Sequence, residues 1–557
     1  MAGLSQERRD RLTRRGLPAL AAGVLLLVLV VGVIAGGGTS DQVAGARKFA
    51  AAWERGDHAA MHSLLTDPTR RRYAPAILAS SYRRAAATMT LERVVTGSPR
   101  DADGGAVVPA TLHTRVFGRI RGELRLRMDG ERVSWSPRLV FPALRRGELL
   151  TRRSEPPRRA TIQDREGQTI VSGPAGSRSP SPAGSAIAGE VGPGRTPAER
   201  DAVYARGFPH RWPVGRGGLE AILEERVAGR PGGTLLAGPR VVERAEPRAG
   251  RPIRTTIDLK LEAAAQAALA GRFGGIAAVD ARSGRIRALA GVAFSAPQPP
   301  GSTFKIVTLA AALEDRVAKT STRYPVATHT LIDGVRLENA NGESCGGTLE
   351  ESFVHSCNSV FAPLGVKVGA ERLVEMAERF GWNRPVPLRG ARTSTLPAAG
   401  AIGSELALGS TAIGQGRVLA TPLQLAMVAQ TIAADGIQAT PTVLPGGFPR
   451  GRRVVGKRTA RTIRELMQGV VARGTGTAAA LGSGVVAGKT GTAELESTTG
   501  PTADTTSAAS KTDAWFTAFA PARRPRIAVA VMLVRAGAGG ETAAPAARTV
   551  LQAALGD

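Results

Sequence analysis

The chain is 557 residues long and carries 74 Lys plus Arg against 46 Asp plus Glu, a formal net charge of +28. That length exceeds one ordinary domain and predicts two or three folded units with a sizeable core. So basic a balance points first to nucleic acid, but aromatics make up only 4% and the basic residues are spread along the chain, so stacking platforms are scarce and this class is set aside. Anionic lipids and acidic polymers are the neighbours such a charge suits, and a compositional bias toward Arg accounts for it equally well.

At the N-terminus, Arg8, Arg9, Arg11, Arg14 and Arg15 precede an apolar run from Leu17 to Ala35. Its 19 residues (17 through 35) would span about 28 Å as a helix, enough to cross a bilayer. The Arg cluster is expected to stay cytoplasmic, with everything after Gly36 outside. No Ala-x-Ala site and no lipid-accepting Cys follow the run, so the expectation is a cytoplasmic tail over 1–16 and an uncleaved single-pass anchor over 17–36.

Asp41 to Leu65 reads as helix, with Val43, Phe49, Trp53 and Met61 among its apolar positions. From Leu112 to Met128 even positions are apolar or small and odd ones carry Arg115, Arg119, Arg121, Glu123, Arg125 and Arg127, the alternation of strand with one solvated face. Asp129-Gly130 is a hairpin turn leading to Val133 and Trp135. Residues 41–150 are therefore expected to form a small domain of helices and a curled sheet. An extended region follows over 155–251, interrupted by Val171 to Arg200, whose Gly, Ser and Pro content predicts flexibility. A last α+β domain is expected over 254–557, with Gly275–Val279 and Arg285–Ala290 paired around Arg282-Ser283-Gly284.

Within it, Pro299-Pro300-Gly301 prevents helix before Ser302, whereas Phe304 to Glu314 reads as an apolar helix. Residues three apart share a helix face, so the Lys305 amine is expected beside the Ser302 hydroxyl. A desolvated Lys loses its proton readily and then serves as general base for serine attack on a carbonyl. The Ser302 N–H, at a helix start, is placed to support the negative charge that develops. Taken alone the pair reads as an N-cap and a solvated charge. Ser356-Cys357-Asn358 follows a helical segment, and Lys489-Thr490-Gly491-Thr492 lies in a strand-like stretch where Gly491 allows close approach of a ligand backbone. The three motifs in this order describe a serine acyl-transfer site. Cys345 and Cys357, the only cysteines, either close a small disulfide loop or are two buried thiols; the disulfide is our expectation. His355 beside Cys357 makes too poor a ligand set for zinc, and no metal is expected. Ser497 to Ser510 is polar and is expected to form a loop after the Lys489 strand.

Together with their flanks, Pro300 to Lys305, Ser356-Cys357-Asn358 with Phe361-Ala362, and Gly488 to Glu494 resemble the three motifs of class B penicillin-binding protein transpeptidases of actinobacterial type. Ile413-Gly414-Gln415-Gly416, Ala420 to Gln424 and Ala514-Trp515-Phe516 resemble core segments of that family. Ile162 to Gly167 and Gly218-Leu219-Glu220 resemble its pedestal motifs, with Ala160 standing where Gly is common. Residues 41–150 resemble, less closely, the nuclear-transport-factor-like domain of some members, a spacer or interaction module.

The resemblance implies a membrane-anchored D,D-transpeptidase cross-linking peptidoglycan stem peptides that end in D-Ala-D-Ala, acylated by β-lactams and requiring no cofactor. Ser302 would be the acylated nucleophile, Lys305 its base, Ser356 the proton donor to the leaving amine and Asn358 a holder of the donor peptide. Lys489 would assist proton transfer, Thr490 and Thr492 would bind the terminal carboxylate beside Gly491, and the Thr492 N–H would complete the oxyanion hole. No glycan-polymerising domain is evident, which implies a partner, by resemblance a SEDS-family glycosyltransferase. The alternatives are a β-lactam hydrolase or sensor on the same fold and a non-catalytic wall-binding scaffold. The anchor and pedestal motifs favour synthesis over the first, and the intact motifs oppose the second.

Overall fold

Helix α1 (Asp41–Glu54) starts where the Ser40 hydroxyl accepts the Val43 N–H, and it buries Phe49 and Trp53. It opens the computed structural model, which describes residues 40–142, 144–446, 451–482, 484–495 and 511–556. The expected tail, anchor and 497–510 loop lie outside the described residues. Among the described residues no helix is long and apolar enough to cross a membrane.

The chain divides into two units, the first comprising residues to Pro156 with Pro197–His210 and Pro231–Pro247. Helix does not run unbroken from Asp41 to Leu65. Gly56 takes a left-handed φ of 67° and the Asp57 carboxylate caps a new helix, α2 (His58–Ser63). Helices α3 (Asp67–Arg72) and α4 (Pro75–Met89) follow. Their apolar faces cover a sheet of β1 (Leu91–Thr96), β2 (Arg100–Ala102), β3 (Gly105–Thr114), β4 (Gly118–Asp129) and β5 (Arg132–Ser134). The alternation read from Leu112 to Met128 belongs to two strands. A turn closes at Gly118 (φ 70°), where the Thr114 hydroxyl accepts the Phe117 N–H and donates to the Gly118 carbonyl. Leu112 pairs with Ile120, so even residues face even residues and the pattern keeps its phase through the hairpin. Val108, Leu112, Ile120, Leu124 and Leu126 are buried, and the Arg stripe faces solvent.

Two expectations about the middle of the chain need correction. The region 155–251 is not one contiguous piece, because strands Leu150–Glu155, Gly232–Ala237 and Arg240–Ala245 form one antiparallel sheet of the first unit. Val171 to Arg200, expected to be flexible, is the second. It contains strand Ser179–Pro180, helix Ser185–Ala188 and strand Val191–Gly192, which pairs with Val214–Gly215. Two of its glycines, Gly184 and Gly189, serve close packing: a Cβ on Gly184 would stand 2.4 Å from the Ile170 carbonyl oxygen and one on Gly189 1.9 Å from that of Gly217. Within the second unit Arg159, 1% exposed at its side chain, bridges Glu220 and Glu224, and Arg178 holds the other Glu220 oxygen.

The second unit is dominated by a five-stranded antiparallel sheet of β6 (Gly274–Asp280), β7 (Ile286–Gly291), β8 (Ala487–Glu494), β9 (Thr512–Ala520) and β10 (Ile527–Leu533). Its order is β7-β6-β10-β9-β8, which leaves β8 at an edge. The predicted β6–β7 pairing is present. All nine residues of β9 are buried, because both faces of the sheet are covered. Trp515, Phe519, Ala528, Ala530 and Met532 point into one core, and Phe516, Ala518, Val529 and Val531 into another. The first core holds the wholly buried helix Pro422–Ala433, capped by the Thr421 hydroxyl, and the second holds helices Leu259–Leu269 and Ala544–Leu555.

Candidate active site

Ser302 sits in a 3-10 turn, Gly301–Phe304, that runs directly into the buried helix Lys305–Glu314. This is the predicted helix start. The turn is held by the Thr303 hydroxyl donating to the Pro300 carbonyl (2.7 Å) and by the Gly301 N–H donating to the Gly414 carbonyl (3.0 Å). It lies hard against the edge strand β8. A Cβ on Gly301, whose φ is 51°, would approach the Thr492 carbonyl oxygen to 2.4 Å, and one on Gly491 would approach that of Pro300 to 2.7 Å. The close approach that Gly491 permits here is to the Ser302 turn.

The second motif lies between two helices, Leu349–Val354 and Asn358–Val368. Ser356 reverses the chain with a left-handed φ of 61°, a strained setting for a non-glycine residue. Cys357 behind it is fully buried and disulfide-bonded to Cys345, as expected, with the Cα atoms 5.8 Å apart.

Two buried amines converge on Ser356. Lys305 Nζ donates to the Ser356 carbonyl (2.6 Å) and to Asn358 Oδ1 (2.6 Å), and lies 3.3 Å from Ser356 Oγ. Lys489 Nζ, reaching in from β8, lies 2.8 Å from the same hydroxyl and 3.1 Å from the Thr490 carbonyl. Both lysines are 0% exposed, and their amines stand 5.6 Å from the Phe361 and Phe353 rings respectively. Burial, and then the neighbouring Lys489 charge, hold the Lys305 amine well below its ordinary range. Burial lowers Lys489 from 10.5 to about 7. A neutral Lys305 gives its two N–H groups to the two close acceptors and keeps a lone pair for a hydroxyl proton.

The residues predicted for the site, Ser302, Lys305, Ser356, Asn358, Lys489, Thr490, Gly491 and Thr492, thus stand on three adjoining pieces of chain. Two contributors carried no signal in the sequence. The Thr475 hydroxyl is 2.6 Å from that of Thr490, and the Gly539 N–H donates to the Thr492 hydroxyl at 3.2 Å. Thr475 lies in a Gly-Thr-Gly turn after a long amphipathic helix, a pattern that reads as an ordinary helix end.

The profile of the penicillin binding protein transpeptidase domain matches residues 274–552, half of the chain, including every residue of the site. The chain belongs to the penicillin-binding protein transpeptidase family. It is 38% identical over 293 residues to the peptidoglycan D,D-transpeptidase PbpA of Mycobacterium tuberculosis, a match covering 47% of this chain and 56% of that protein. The chain therefore spans little more than half the length of such relatives. Among solved structures it resembles the D,D-transpeptidase domain of a peptidoglycan glycosyltransferase from Eggerthella lenta (TM-score 0.58, 29% identity, 72% of this chain and 98% of that one). It also resembles the penicillin G acyl-enzyme complex of M. tuberculosis penicillin-binding protein A (TM-score 0.55, 27% identity, 72% of this chain and 100% of that one). The Gly301–Gly414 contact ties the Ile413-Gly414-Gln415-Gly416 segment to the Ser302 turn: a Cβ on Gly414 would meet the Gly301 carbonyl oxygen at 2.0 Å.

Proposed function

We propose that this chain is a D,D-transpeptidase that cross-links peptidoglycan stem peptides through an acyl-Ser302 intermediate and is acylated there by β-lactams. The observation that carries the reading is the meeting of two buried amines, Lys305 and Lys489, at one serine hydroxyl beside the Ser302 turn. Ser302 Oγ attacks the carbonyl of the penultimate D-Ala while its proton passes to neutral Lys305. The oxyanion is held by the Ser302 and Thr492 N–H groups. Collapse of the tetrahedral adduct breaks the C–N bond, and the Ser356 hydroxyl, replenished by Lys489, gives the departing D-Ala amine its proton. An acceptor amine then attacks the acyl-enzyme and restores Ser302. The Thr492 hydroxyl already accepts from Gly539, so its own O–H is free to donate to the substrate carboxylate. Thr490, expected to share that carboxylate, is 5% exposed and bonded to the Thr475 hydroxyl.

Labelling of the full chain with fluorescent penicillin tests the reading. Wild type should label covalently and Ser302→Ala should not, while Lys305→Ala should label far more slowly; equal labelling of Ser302→Ala would sink it. Slow release of the label fits a synthase, and rapid turnover would point to the hydrolase. The apolar run over 17–36 is proposed as the membrane anchor that places the second unit outside the cell. The first unit is proposed as a nuclear-transport-factor-like spacer, and a SEDS-family glycosyltransferase as the partner. Co-purification in detergent tests that partnership.

A further inference from the structure

Asn339 belongs to none of the motifs and is 4% exposed. Its side chain ties the start of the second-motif helix to two loop carbonyls. Oδ1 accepts the Ser359 N–H at 2.8 Å, and Nδ2 donates to the Ala327 carbonyl at 2.8 Å and the Glu343 carbonyl at 2.9 Å. One residue earlier, the Glu338 carbonyl accepts from Asn358 Nδ2 at 2.9 Å. The helix beginning at Asn358 has Cys357 at its N-cap, and no side chain there caps it. Its early N–H groups have no partner within the helix, and the second of them is the one an N-cap oxygen normally satisfies. That group is Ser359 N–H. Cys357 cannot serve it, because its sulfur is committed to Cys345.

We propose that Asn339 is a positioning residue for the acyl-transfer reaction: it caps the second-motif helix from a distant loop and thereby fixes where Ser356 and Asn358 stand. The inference rests on the reading of Ser302 as nucleophile given above. Asn358 and the Ser356 carbonyl are the two close acceptors of the Lys305 amine, so a displaced cap moves the base as well.

The test uses penicillin acylation of the full chain, resolved into a limiting rate and an apparent binding constant, across pH. Asn339→Ala should lower the limiting rate by about 100-fold, the scale of a misplacement near 1 Å, with binding changed by less than about 3-fold. Water admitted to the loosened loop should return Lys305 toward its ordinary basicity and move the acidic limb of the profile upward. Asn339→Asp keeps an oxygen for the Ser359 N–H but loses the two donors to the Ala327 and Glu343 carbonyls, so it should lower Tm and still recover part of the rate lost in Asn339→Ala. Ile332→Ala, a truncation in the neighbouring hairpin of a side chain 6% exposed, should lower Tm and leave the limiting rate and the pH limb at wild-type values. A wild-type rate and limb in Asn339→Ala would overturn the proposal, as would an Asp variant as slow as Ala or an equal rate loss in Ile332→Ala. Should Asn339→Ala fail to fold, the Asp and Ile332 variants decide. If wild type itself takes up no penicillin, it is the acyl-transfer reading that fails.

Discussion

Replacing Lys489 by Met keeps an unbranched side chain in the site and removes the amine. Burial lowers this amine from 10.5 to about 7, a displacement of about 3.5, which at ~1.4 kcal/mol per pKa unit amounts to about 5 kcal/mol. The folded-state value lies below the unfolded one, so between pH about 7 and about 10.5 the unfolded chain binds the extra proton and stability rises with pH. Below that window both states are protonated and the penalty is constant. Lys305 is displaced in the same direction, so wild type approaches a two-proton slope of about 2.7 kcal/mol per pH unit and the variant a one-proton slope of about 1.4. At pH 7 the relief of about 5 kcal/mol is set against the lost hydrogen bonds to the Thr490 carbonyl and to Ser356 Oγ, the second of which keeps Lys305 as a neighbour, at ~1–3 kcal/mol each. The net change there should be only a few kcal/mol, while penicillin acylation falls by about 100-fold or more. Urea unfolding followed through the buried Trp382 and Trp515 at pH 7, 8 and 9 measures the slopes. Parallel pH dependence in the two proteins would mean that Lys489 is not a depressed amine, and the neutral-amine chemistry would fall with it.

Gly491→Ala should slow penicillin acylation by about 100-fold with intact folding, because its Cβ would stand 2.7 Å from the Pro300 carbonyl oxygen and 3.1 Å from the Thr303 nitrogen and push the Ser302 turn off β8. A wild-type rate would show that the turn has room to move. Arg159→Ala removes the guanidinium that bridges Glu220 and Glu224, leaving Glu220 with Arg178 alone, and should cost about 3–5 kcal/mol in urea unfolding, with acylation of the folded fraction unchanged. Reducing the Cys345–Cys357 bond, which joins residues 12 apart, should lower stability by about 3 kcal/mol and slow acylation as Ser356 gains freedom; identical melts with and without reductant would contradict this.

Much of the site was legible in the sequence, for a local reason. A helix start after Pro-Pro-Gly, a Lys one turn beyond a Ser and an apolar helix are set by neighbouring residues, and the structure shows all three. The alternation of β4 was equally legible. Its extent was not, because even-to-even pairing across the hairpin hid the turn at Gly118. Glycine-rich sequence between Val171 and Arg200 suggested freedom where Gly184 and Gly189 instead admit neighbouring backbone.

Residue order alone set which chemistry was available: a serine, two lysines, a second serine with its asparagine, and a glycine in the last motif. Three-dimensional packing was needed to make both lysines dry, to leave β8 as an edge strand against the Ser302 turn, and to bring Asn339, Thr475 and Gly539 to the site. Desolvation and remote capping depend on which surfaces meet across the core, and residues distant in sequence leave no periodic trace of that meeting.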